Sequence, residues 1–157
     1  MIRVLGIDPG INGALAFICG IKIEIRDMPI VKSIRRTRVN VSYLVQLVQD
    51  LNPDHAFVEF ASARPGQGVS SCFNYGFSNG IIHGVLAALQ VPMTIIHPVK
   101  WKRELQVPRD KKEARMRASQ LMPHGAHLWP LAKHDGRAEA ALIAYYGAGK
   151  LGKTWEW

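Results

Sequence analysis

Residues 3–10 read RVLGIDPG and residues 55–59 read HAFVE. Each is a short apolar run that ends on a carboxylate, Asp8 in the first and Glu59 in the second. The first run, closed by Pro9-Gly10, reads as a buried strand over Arg3–Asp8, and the second as a strand over His55–Glu59. An acid at the end of a buried strand loses hydration, which is unfavourable unless a cation or a hydrogen bond replaces the lost water. Taken singly, Asp8 reads equally as a turn residue and Glu59 as a strand-end charge satisfied by an arginine. Their repetition points to metal binding.

Working outward, 14–19 and 21–28 carry alternating or apolar β-type residues and make an antiparallel meander with the first strand. A basic connector from Lys32 to Arg38 leads to a helix with Leu44, Leu47, Val48 and Leu51 on one face, stopped by Asn52-Pro53. Beyond Glu59 comes a loop over 61–71 and an apolar helix over about 73–89, which its composition places deep in the protein. Residues 93–97 read as a strand and 99–105 as a short basic segment opened by Pro98. Asp110 is placed to cap a helix over Lys111–Leu121, and a last helix runs over about 136–148. The order implies an α/β fold: a mixed sheet, antiparallel in its first three strands and then parallel, flanked by helices.

A chain of 157 residues suits one domain, here expected over 1–150 with a short tail over 151–157 that contains Trp155 and Trp157. The apolar stretch near residues 80–97 is broken by His83, Gln90 and Pro92 and falls short of the roughly 20 residues that span a bilayer. No membrane association is expected, and the start lacks the anatomy of a secretory signal, so a cytoplasmic location is expected. Cys19 and Cys72 have no metal-type spacing and read as reduced and structural. The excess of 20 Lys and Arg over 12 Asp and Glu, a formal charge of +8, favours a polyanionic partner, although general solubility explains such a balance as well.

The last helix supplies further acids. Asp135 and Glu139 lie four residues apart, on one face of a helix, with His134 just before them. Acids from separated segments are what a two-metal nuclease needs, because each Mg²⁺ takes oxygen ligands and the pair clamps the attacking and leaving oxygens of a phosphodiester. The bland readings are a helix cap for Asp135 and an exposed helix position for Glu139.

The combination of GIDPG before a β-hairpin, VE on a later strand and HDGRAEAALIA on a terminal helix resembles RuvC-type Holliday-junction resolvases of the ribonuclease H-like superfamily, in particular the compact phage and prophage group. GIDPG alone also resembles the phosphate loop of sugar-kinase and actin-like folds, which need two lobes and a far longer chain. The resemblance implies that Asp8, Glu59, Asp135 and Glu139 are the catalytic metal ligands and that the cofactor is Mg²⁺, two ions per site, with Mn²⁺ able to substitute. Many relatives space the last two acids three apart rather than four. His134 is accordingly either a ligand, a residue that positions the water nucleophile, or an exposed helix-start histidine.

The positions Lys100, Lys102, Arg103, Arg109, Lys111, Lys112, Arg115 and Arg117 put eight basic residues into 18, either a phosphate-binding stripe or a solvated helix face. Lys100 and Lys111 resemble the family's DNA-backbone lysines. In the 60–71 loop Arg64 is placed to reach DNA, and Phe60, Phe73 and Tyr75 are candidates to stack on an unpaired base, with core packing as the alternative. The function implied is that of a homodimeric endonuclease that resolves four-way DNA junctions. Two alternatives stay open: a nuclease of the same fold acting on other branched DNA or RNA–DNA hybrids, and a non-catalytic junction-binding protein.

Overall fold

The computed structural model describes residues 1–34, 36–63 and 65–152. In chain order its strands are β1 (Arg3–Asp8), β2 (Ala14–Cys19), β3 (Lys22–Asp27), β4 (Ile30–Lys32), β5 (Thr37–Val39), β6 (His55–Glu59) and β7 (Met93–Ile96). Its helices are α1 (Val41–Leu51), α2 (Val69–Ala88), α3 (Pro98–Glu104), α4 (Lys111–Leu121) and α5 (Asp135–Lys150). The main sheet has the order β3-β2-β1-β6-β7. β1–β2 and β2–β3 are antiparallel, whereas β1–β6 and β6–β7 are parallel, which is the mixed sheet expected.

Strand alternation sorts the core into two layers. Val4 and Phe57 point to the face covered by α5, while Leu5, Ile7, Ala56 and Val58 point to the face covered by α1 and α2. Asp8 and Glu59 share the parity of Val4 and Phe57, so both belong to the α5 side. α5 can come close because its inner face is small: a Cβ on Gly6 would strike the backbone of Ala140 and Ala144, and one on Gly147 would strike the Phe57 ring. Helix ends follow local chemistry. The Asn40 side chain accepts from Tyr43 N at 3.2 Å to start α1, Asn52 in the left-handed region (φ 44°) stops it, and Asp110 accepts from Glu113 N at 2.9 Å to start α4.

Several expectations need correction. The basic connector contains strands that were not expected: β4 and β5 form a separate antiparallel hairpin, closed by the Ser33 hydroxyl, which donates to Arg36 O at 2.8 Å. Residues 98–104 are helical, because Pro98 fits the first turn of α3 and fully buried Trp101 anchors it. α2 begins at Val69, earlier than expected, and does not lie deep. Only Ser78, Ile82, Val85 and Leu86 of its 20 residues are buried, and Phe73 and Phe77 are 63% and 46% exposed. The deep helix is α5. Both cysteines are free, and no helix among the described residues is long and apolar enough to cross a membrane. Arg64 and the tail tryptophans Trp155 and Trp157 lie outside the described residues.

The seating of α5 gives a stability prediction. Gly6→Ala forces α5 off β1 and should destabilise the protein by about 1–3 kcal/mol in denaturant unfolding. Gly149→Ala, exposed in the last turn of α5 with nothing near its added methyl, should be neutral or stabilising by up to about 1 kcal/mol. Equal effects at the two positions would refute the close-packing account.

Candidate active site

Because β1 and β6 run parallel with Ile7 opposite Val58, Asp8 and Glu59 emerge side by side at the same end of the sheet. The first turn of α5 sits directly over them: a Cβ on Gly136 would lie 3.2 Å from Asp8 Oδ2. One turn further on, Glu139 reaches the same spot. One carboxylate oxygen from each of Asp8, Glu59 and Glu139 lies within 4.8 Å of the others. Burial, and then the charges of Glu139 and Glu59, push the Asp8 carboxyl well above the usual carboxylate range, against the opposing pull of Lys102 and Lys111. A buried acid beside two further carboxylates suits a divalent cation, whose charge relieves the repulsion and whose preference is for oxygen.

Helices α3 and α4 hold the acids in place. The indole N–H of Trp101 donates to Glu59 Oε2 at 2.9 Å, and Lys102 Nζ donates to Glu139 Oε1 at 2.9 Å. Asp135 borders the same cavity, about 520 Å³ in volume, but is ion-paired to Arg115 and, at 3.7 Å, to Lys111. The group of three carboxylates does not include it. His134 is buried in the turn before α5, where its Nδ1 accepts from Leu131 N at 3.3 Å. Burial, then Arg137 and Lys133, hold its imidazole below the ordinary histidine range. It too lies outside the carboxylate group and acts in this geometry as a cap on the turn.

Of the basic stripe, Lys100, Arg103, Lys111 and Lys112 are exposed, while Lys102 and Arg115 are half-buried against the acids. Phe60 is exposed and packs on His97, with ring centroids 4.5 Å apart. Sequence reasoning overlooked Trp101. The available signal was a tryptophan amid charges in KWKREL, four residues before Leu105, which is the spacing of a short amphipathic helix.

No protein-family model matches the chain, and no curated protein matches it. Solved structures do. RuvC of T. thermophilus in complex with a Holliday junction substrate is 15% identical, with a TM-score of 0.66 over 96% of this chain and 97% of that one. The chain has the fold of that structure. The yeast mitochondrial Holliday junction resolvase is 16% identical with a TM-score of 0.59 over 91% of this chain and 76% of its own. The fowlpox virus resolvase, in complex with Holliday junction DNA, is 14% identical with a TM-score of 0.57 over 97% and 100%.

Lys102 stands on Glu139 where a cation would compete with it. Lys102→Met should therefore lower the melting temperature of the metal-free protein and enlarge the upward shift produced by Mn²⁺. A Mn²⁺-induced shift equal to that of the wild type would show that the lysine does not compete.

Proposed function

We propose that residues 1–150 form a metal-dependent, structure-selective endodeoxyribonuclease that resolves four-way DNA junctions as a homodimer. The observation that carries this reading is the convergence of Asp8, Glu59 and Glu139 within 4.8 Å, at one end of a sheet with the resolvase fold. In this reading the three acids hold the ions, and Asp135, drawn to the rim by Arg115 and Lys111, is the fourth acid of the site. His134 sets the turn that presents Asp135. Two Mg²⁺ ions, or Mn²⁺ in their place, would supply a nucleophile at neutral pH and charge stabilisation for the displaced oxygen.

The protein's own groups bind and orient the DNA. Lys100, Arg103 and Lys112 present exposed charge to phosphates, and Lys102, Lys111 and Arg115 sit where the backbone would meet the acids. Phe60, which directly follows Glu59 and is exposed, is the residue of this loop offered to the junction's branch point. The second copy docks on the outer face of α2, where Phe73, Phe77, Gly80 and Gly84 recur at intervals of 4, 3 and 4 residues, a helix-pairing seam left uncovered. A two-fold pair would place two sites on a junction of matching symmetry.

A synthetic four-way junction, linear duplex, flap and RNA–DNA hybrid, each incubated with Mg²⁺, Mn²⁺ or chelator, test the reading. Paired symmetric nicks in the junction, dependent on metal, are expected. Preference for the hybrid or flap would change the substrate while keeping the site, and tight junction binding without cleavage would favour a non-catalytic binder. Asp8→Asn should lower cleavage by at least about 100-fold, on the scale of losing a group that stabilises developing charge, and leave junction binding within a few-fold of wild type.

A further inference from the structure

Beside the carboxylate cavity lies a second one of about 550 Å³, and the two share Gly10, Ile11, Asn12, Gln67 and Tyr75. Its remaining wall comes from the β4–β5 hairpin, through Arg36 and Thr37, and from the first turns of α2, through Ser71, Asn74 and Ser78. The chemistry of the two cavities is opposite. The first is lined by Asp8, Asp135 and Glu139, whereas the described residues that line the second include no acid. A guanidinium, amides, hydroxyls and a phenol ring take their place, in a volume within the roughly 300–1,000 Å³ of small-ligand sites.

Arg36 is held for this role. Its backbone is fixed by Ser33, whose N–H donates to Arg36 O at 2.9 Å and whose Oγ accepts from Arg36 N at 3.2 Å. Among the described residues its side chain is in no salt bridge, unlike Lys102, Lys111 and Arg115 around the first cavity. The hairpin is braced on the body by Arg38, which lies 5.5 Å from the Phe77 ring centroid. Tyr75 separates the cavities and packs near Gly10, whose φ of 116° keeps that wall free of a side chain.

We propose that the second cavity is a nucleotide subsite: it takes the nucleotide next to the scissile phosphate on the cleaved strand, with Arg36 on that nucleotide's phosphate, Tyr75 against its base and Asn74 at its base edge. This rests on the nuclease reading. A strand whose phosphate sits at the acids must carry its next nucleotide over one wall of that cavity. The wall shared with the second cavity is the one beyond which an anion-compatible pocket of suitable size opens. Phosphate contact by an arginine on a hydrogen-bonded turn positions the strand, and stacking on a phenol ring tolerates or selects the base.

The test is binding of labelled four-way junctions in chelator, where nothing is cut. A single uncharged methylphosphonate is moved along the cleaved strand, and wild type is compared with Arg36→Ala. The variant should bind the unmodified junction about tenfold more weakly and lose about one unit of salt slope, as for one phosphate contact. Wild type should lose a similar factor when the methylphosphonate stands at one position flanking the cut, and Arg36→Ala should lose nothing further there. Equal losses for both proteins at every position would overturn the subsite and leave the nuclease reading intact. A wild type that binds none of the nucleic acids, with Arg36→Ala melting like wild type, would overturn the reading beneath it. Asn74→Ala, finally, should flatten any base preference at the same nucleotide. An unchanged preference would remove Asn74 from the subsite.

Discussion

Helix α5 lies on β1 with almost nothing between their backbones, since Gly6 offers no side chain and Ala140 and Ala144 offer little. That seating fixes the height of Glu139 and Gly136 above the strand ends, and so decides that three acids meet rather than spread into solvent. A bulkier pairing would lift α5 and open the group. The close contact also covers Val4 and Phe57, so the same surface that builds the site buries a large part of the core.

Gathering like charges is costly: two unit charges about 4 Å apart repel by roughly 4 kcal/mol at an effective dielectric constant near 20. The chain offsets this with its own cations. Lys102 on Glu139, and Arg115 with Lys111 on Asp135, surround the acids, and the Trp101 N–H takes up one oxygen of Glu59. The basic stripe is thus two populations. Some members neutralise the acids, and others, such as Lys100 and Lys112, are exposed at the surface. Net charge alone does not distinguish the two.

β1, β6 and α4 were legible because strong local signals agreed: apolar runs closed by Pro-Gly or an acid, and an aspartate cap before a helical repeat. The strand ends also made Asp8 and Glu59 stand out. What escaped reading depends on tertiary packing. The strands of the β4–β5 hairpin are three residues each and carry one cation apiece, Lys32 and Arg38, so no alternation is long enough to detect. α2 read as deep because it is apolar, yet composition does not tell which faces are covered, and much of its apolar surface is outward. The division of labour between Asp135 and Glu139 was likewise invisible. It follows from where Arg115 and Lys102 arrive, on helices joined to α5 only through the fold.

The placement of Glu139 has a consequence for the order in which the chain is made. Asp8 and Glu59 leave the ribosome before α5, on neighbouring strands that can pair as soon as both are free, while their third companion follows on the last of the described helices. A nascent chain that stops before α5 therefore displays an uncovered β1 face and two acids without the third. Assembly of the acidic group coincides with closure of the core, so a chain acquires it only once α5 has covered the sheet.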